Sequence, residues 1–230
     1  MLKQLFLTGC IRSGTNWVFD ILSKHYHTSH SEYFDYLDLE KRKTAFGGNV
    51  SLLFKINEDM RNICSLSSSF PDAKIVIMLR NPLEVLHSIY NPSRKSLPYR
   101  PFHDLESKWS RAGDEDRLPA AIRRLESYFP SEALDVIAKP TLRFHILRYE
   151  DLLARFNSTL SLLFDFCEIN EKERKTFCKK PLKTANQGIR LQDFSAEHQK
   201  IISLTKIPFL SQFMGYSNMW FSPWNSLIME

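Results

Sequence analysis

The segment Gly9-Cys10-Ile11-Arg12-Ser13-Gly14-Thr15-Asn16 concentrates the residue types that hold an anion. Two glycines allow a tight turn. If a helix begins behind that turn, its unsatisfied N–H groups face the ligand, the Ser13 and Thr15 hydroxyls add donors, and Arg12 adds a planar, permanently charged fork. A triphosphate loop of the form G-x-x-x-x-G-K-[ST] needs lysine directly after its second glycine. Here Thr15 stands in that place. Neither of the two best strand candidates ends in a metal-binding acid. Lys74–Leu79, KIVIML, runs into Arg80, and Arg143–Tyr149, RFHILRY, runs into Glu150-Asp151. A nucleotide kinase or NTPase is disfavoured on both counts. The four cysteines include no C-x-x-C pair and no histidine at ligand spacing, so no metal is expected. The letters Leu7-Thr8-Gly9-Cys10 also spell a lipoprotein signal. Only Leu5 to Thr8 precede the glycine, against the roughly 7–15 apolar residues of a secretory signal, so that reading is set aside.

The elements that must position these residues alternate between strand and helix. Lys3–Thr8 reads as a buried strand, Gly9–Gly14 as a turn, and Asn16–Tyr26 as a helix with Trp17, Val18, Ile21 and Leu22 at helical spacing. His25–Phe46 is polar and aromatic, read as loop with one short helix. Val50–Ile56 is a second strand, and Asn57–Phe70 is helical. Lys74–Leu79 is the clearest buried strand, followed by a helix through Tyr90 that opens at Pro82. Asn91–Pro101, with Arg94, Lys95 and Arg100, reads as loop. Helices are expected over Phe102–Ala112 and Pro119–Tyr128, a strand over Arg143–Tyr149, and one amphipathic helix over Glu150–Cys167. Helical segments near Glu171–Cys178 and Ala196–Lys206 precede an aromatic tail at Trp220–Trp224, read as packed onto the domain. The alternation implies a mainly parallel sheet covered on both faces. No linker divides the chain, so one domain over residues 1–230 is expected.

Two motifs resemble a known family. Arg12–Trp17, RSGTNW, is similar to the 5′-phosphosulfate loop of sulfotransferases that use 3′-phosphoadenosine-5′-phosphosulfate (PAPS), with Asn16 where a second threonine is usual. Arg80–Tyr90, RNPLEVLHSIY, resembles the same family's 3′-phosphate site, in which an Arg at a strand end and a Ser farther along a helix bind the phosphate; Arg80 and Ser88 have that separation. FPDAKIVIMLRNP, RYEDL at Arg148–Leu152, and Gly215-Tyr216 are further landmarks. The resemblance implies a three-layer α/β/α domain of the P-loop-NTPase-like sulfotransferase fold. It also implies transfer of a sulfuryl group from PAPS to an acceptor hydroxyl on a glycan, lipid or small metabolite, leaving adenosine 3′,5′-bisphosphate. Arg12 and Lys55 are then expected to stabilise the leaving phosphate, and Glu32, in SHSEYFDY, to act as base, with His27 and His30 as neighbouring substitutes. Asn57 occupies the position where one branch of the family carries a basic histidine. The implied cofactor contacts are Arg12, Ser13, Gly14, Thr15, Asn16, Trp17, Arg80, Ser88, Tyr149 and Arg190. Gly188 and Arg190, in ANQGIRL, stand where other members carry a late Arg-Lys-Gly clamp. Trp17 reads equally as an adenine contact or core, and Glu150-Asp151 as a charge pair at a helix start.

Composition fits this reading without choosing it. A net charge of +5 favours an anionic ligand, and 43% hydrophobic residues suffice for a well-filled core. No run approaches the ~18 apolar residues of a membrane span. Free thiols and the lack of a signal segment point to a soluble, cytoplasmic protein. The basic residues are not interleaved with aromatics, so nucleic acid is not an expected partner. A P-loop-like nucleotide kinase and a catalytically inactive nucleotide-binding relative are the alternatives.

Overall fold

The structure, a computed structural model, describes residues 4–31, 52–56, 60, 63–90, 114–174 and 188–216. These residues form two compact units, one of 1–80 with 128–183 and the other of 81–127 with 184–230.

The first unit is built on a five-stranded parallel sheet. Strands β1 (Gln4–Gly9), β2 (His27–Ser31), β3 (Leu52–Ile56), β4 (Lys74–Leu79) and β5 (Phe144–Arg148) lie in the order β2-β3-β1-β4-β5. β1 is central, with Leu5 in register with Leu53 of β3 and also with Lys74 of β4. Chain direction reverses its progress across the sheet at β1, and in open parallel sheets ligands bind outside the carboxyl ends of the strands at such a point. Both faces are covered, which is why β1, β3 and β4 read as continuous apolar runs. On one face Leu5, Leu7, Leu53, Val76, Met78 and Leu147 pack with α1 (Thr15–Leu22), through Val18, Ile21 and Leu22. The same cluster takes in Leu152, Phe156, Leu160, Leu163 and Phe164. On the other face Phe6 stacks on Phe54 and meets Phe70, which directly follows α2 (Ile63–Ser69), each at 5.2 Å between centroids.

Several boundaries differ from the sequence reading. The first helix ends at Leu22, four residues early, and its C-cap Ser23 donates its backbone N–H to Phe19. β2 lies inside the stretch read as loop. H-T-S-H-S carries no apolar alternation, and at the end of the sheet order it does not need any. The helix expected over Glu150–Cys167 is two helices, Tyr149–Ala154 and Phe156–Phe166, broken where Arg155 leaves helical geometry (φ −129°, ψ 49°). At its end Glu168 takes a left-handed φ of 55°, and Lys74 caps the last turn by donating to the Phe166 carbonyl at 2.6 Å and to Glu168 at 2.7 Å. A helix at Ser131–Ala138 was not anticipated.

The second unit contains the helices Pro82–Tyr90, Asp114–Ser127, Ala196–Ser203 and Ile207–Phe213. Asn81 caps the first of these, its Oδ1 accepting the Leu83 N–H at 3.0 Å, with Pro82 at the first helical position. The second helix starts at Asp114, so Pro119 is interior to it; burial of Leu118, Ala121, Ile122 and Leu125 offsets the missing hydrogen bond. The helix at Ile207–Phe213 is a further addition to the reading. It closes with Gly215 at φ 80°, the Gly215 N–H donating to Gln212 and the Tyr216 N–H to Ser211, which gives Gly215-Tyr216 a role as a C-terminal stop. Residues 91–113, 175–187 and 217–230, with the readings made for them, lie outside the described residues. Among the described residues no helix is long and apolar enough to cross a membrane.

Three described cysteines are free. Cys10 and Cys167 are buried, whereas Cys64 is exposed. Burial pushes both buried thiols from their ordinary value of 9.0 up to about 12. A folded value raised in this way contributes stability that is complete below pH ~9 and is lost as pH climbs toward the folded value. Alkylation of the native protein at pH 8 is expected to modify Cys64 and leave Cys10 and Cys167 untouched, as read by peptide mass spectrometry. Phe6→Ala, which empties the centre of one sheet face, is expected to destabilise the protein by about 3–5 kcal/mol in urea titration.

Candidate anion-binding site

The loop between β1 and α1 is shaped so that its carbonyls turn inward. Ser13 donates both its backbone N–H (3.2 Å) and its hydroxyl (2.7 Å) to the Cys10 carbonyl. The Arg12 carbonyl accepts from the guanidinium of Arg80, at 3.0 Å. Gly9 and Gly14 are required by close approach as well as by conformation. A Cβ on Gly9 (φ 152°) would stand 2.6 Å from the Met78 carbonyl, and one on Gly14 (φ 97°) would stand 2.6 Å from the Tyr149 ring. Arg12 itself adopts a left-handed φ of 63°.

Gly14 is the N-cap of α1 and has no side chain to cap the first turn. That turn is therefore presented to a ligand. Thr15 is buried and Asn16 exposed at its start. Lys55, on β3 and 1% exposed, donates to Oδ1 of Asn16 and lies over the Phe19 ring, 5.8 Å from its centroid. Arg80, 6% exposed, lies 4.5 Å above the Tyr149 ring. The first unit thus brings together Arg12, Ser13, Gly14, Thr15, Asn16, Trp17, Lys55, Arg80 and Tyr149 at the carboxyl ends of β1, β3, β4 and β5. Three of the nine are cations, a charge set suited to an anion.

Several of these residues support the loop from behind. The Ser13 hydroxyl is fully buried within the loop, and Arg80 and Tyr149 stack beneath it. Trp17 stacks on Phe156 (5.7 Å, 9°) and meets Tyr149 edge-on (6.0 Å, 77°), so its ring is packed among aromatics and only partly buried. The Cys10 thiol stays protonated at neutral pH. Burial raises it to about 12, against the lowering pull of the Arg80 charge and the Ser13 hydroxyl. Asp151 pairs with Arg155 at 2.7 Å, in keeping with Glu150-Asp151 as a helix-start charge pair.

Ser88 and Arg190 belong to the second unit. Ser88 is buried, and Arg190 is exposed, its backbone N–H donating to Asp193 at 2.7 Å. Glu84 was missed by the sequence reading. It is 2% exposed and accepts the Gly188 N–H at 2.7 Å, which ties Gly188 to the helix that carries Ser88. The signal was available: Glu84 and Ser88 are four apart and share one helical face. Glu32 and Asn57 lie outside the described residues. His27 and His30 lie on β2, with His30 in register with Lys55.

A family model described as "Sulfotransferase domain" matches residues 2–213. No curated protein matches the sequence significantly. Among solved structures the chain is similar to a sulfotransferase from Alicyclobacillus acidocaldarius, at 15% identity and a TM-score of 0.52, covering 98% of this chain and 99% of that one. It is also similar to mouse sulfotransferase SULT7A1 complexed with PAP, at 15% identity and a TM-score of 0.50, covering 94% and 86%. At these identities the structural likeness speaks for the fold, and the family match over nearly the whole length speaks for the family: the chain belongs to the sulfotransferase domain family.

Proposed function

We propose that this protein transfers a sulfuryl group from PAPS to an acceptor hydroxyl on a glycan, lipid or small metabolite, as one domain in a reducing, cytoplasmic setting. The observation that carries the reading is the first turn of α1, which its N-cap Gly14 leaves uncapped, with Lys55 seated on Asn16 in that turn and Arg80 holding the Arg12 carbonyl of the preceding loop. The mouse relative with PAP bound supports the choice of nucleotide.

In this reading the first-turn N–H groups, with Thr15 and Asn16, hold the 5′-phosphosulfate, and Ser88 and Arg190 contribute to the 3′-phosphate. PAPS supplies the sulfuryl group. The new S–O bond forms to the acceptor oxygen as the S–O bond to the phosphate breaks. Arg12 and Lys55 meet the negative charge that develops on the departing oxygen, where preorganised cations contribute most. Glu32 receives the acceptor proton. Ser31, the residue before it, is in register with Ile56, one residue beyond Lys55, which supports Glu32 over more distant acids. Arg80 has two tasks, since it also supports the loop through the Arg12 carbonyl.

That dual task makes Ser88 the cleaner probe of the 3′-phosphate. In calorimetric titration, Ser88→Ala is expected to weaken adenosine 3′,5′-bisphosphate by roughly 10–100-fold, the worth of a hydrogen bond to a charged group, while adenosine 5′-monophosphate binds as before. Equal losses for both ligands would remove Ser88 from the phosphate site. Glu32→Gln is expected to keep bisphosphate affinity and lower transfer from labelled PAPS by about 10²–10⁴-fold. A fully active Glu32→Gln moves the base to a histidine. Failure of the wild type to bind the bisphosphate overturns the assignment.

A further inference from the structure

Lys55 is held by two residues of α1. Its ammonium donates to the Asn16 Oδ1 and rests over the Phe19 ring. Asn16 and Phe19 are three apart on the helix and therefore neighbours on one face. The seat lies at an unfavourable place for a cation, because the first turn of a helix carries the positive end of its dipole. A flexible four-carbon side chain would not adopt this position without something to hold it.

The chemistry of the contact fixes the orientation of Asn16. An ammonium donates three hydrogen bonds and accepts none, so the carboxamide must turn its oxygen toward Lys55. Its NH₂ group is then turned away from Lys55. A threonine at this position has a single oxygen for both accepting and donating. Asparagine separates the two tasks onto two atoms.

We propose that Asn16 is a positioning residue for Lys55: its Oδ1 holds the ammonium beside the first turn of α1, oriented for the departing phosphate oxygen, and its NH₂ group serves the bound anion. The proposal rests on the reading of this loop as a PAPS site. Loss of Asn16 leaves the charge of Lys55 in place and removes its orientation, so a loss of rate persists at saturating nucleotide.

The test uses Asn16→Ala, Asn16→Thr, Lys55→Met and the double variant Asn16→Ala/Lys55→Met of the full chain. At saturating PAPS, Asn16→Ala is expected to slow transfer about tenfold or more, since misplacement of a catalytic group acts on the rate. Its affinity for adenosine 3′,5′-bisphosphate is expected to fall as well, because the NH₂ donor to the anion is lost with the side chain, and saturating PAPS separates that loss from the loss of rate. Asn16→Thr, which restores an acceptor, is expected to recover most of the rate. The double variant is expected to be no slower than Lys55→Met alone. In the free protein, the Lys55 Nζ resonance in ¹⁵N NMR is expected to be sharp in the wild type and broadened by exchange in Asn16→Ala. A fully active Asn16→Ala, additive losses in the double variant, or an unchanged Nζ resonance overturns the proposal. A wild type that neither binds the bisphosphate nor transfers sulfuryl overturns the PAPS reading instead, and the Nζ resonance still decides whether Asn16 seats Lys55.

Discussion

The buried guanidinium of Arg80 is the contact on which the site depends. A loop that offers its N–H groups to an anion must send its carbonyls elsewhere, and a buried carbonyl needs a donor. The Cys10 carbonyl finds Ser13, and the Arg12 carbonyl finds Arg80. The second contact also offsets a conformational cost. A non-glycine residue in the left-handed region costs roughly 1–2 kcal/mol, and Arg12 sits there at φ 63°. A hydrogen bond from a charged donor contributes about 1.5–3 kcal/mol, enough to hold that conformation. Tyr149 completes the support, with one side of its ring under Arg80 and an edge against Gly14.

The fold was legible wherever burial on both faces forced continuous apolar sequence. KIVIML gave β4 without error, and the strand-turn-helix order around Gly9–Gly14 followed from glycine placement. The misses share a physical cause. β2 is polar because it closes one end of the sheet order, so hydrophobic period carries no signal there. The break at Arg155 leaves the apolar spacing of Phe156, Leu160 and Leu163 in phase with what precedes it, and periodicity alone reads through it. Pro119 looked like a helix start because proline is welcome there, yet tertiary packing carried the helix across it.

The site was legible as a set of residues and less so as a division of labour. Resemblance to the family's motifs selected Arg12–Trp17, Lys55, Arg80 and Tyr149, and the first unit brings them together. It could not say which side chains face the ligand and which hold the loop, because that depends on direction, not on spacing. Ser13 spends its hydroxyl on Cys10, and Trp17 packs on Phe156, a partner 139 positions along the chain. Glu84 was overlooked for the complementary reason: an acid in the first turn of a helix has a local explanation in the helix dipole, which hides its bond to Gly188.

The central position of β1 also bears on how the chain reaches this state. Residue 5 finds one neighbour at residue 53 and the other at residue 74, and residue 75 in turn needs residue 144. Every rung of the ladder is non-local, and parallel pairings of this kind close slowly because loop entropy is lost before the contacts reward it. During synthesis β1 emerges before both of its partners and waits for them unpaired. With Leu5, Phe6 and Leu7 uncovered it is, for that interval, open to aggregation and to chaperones.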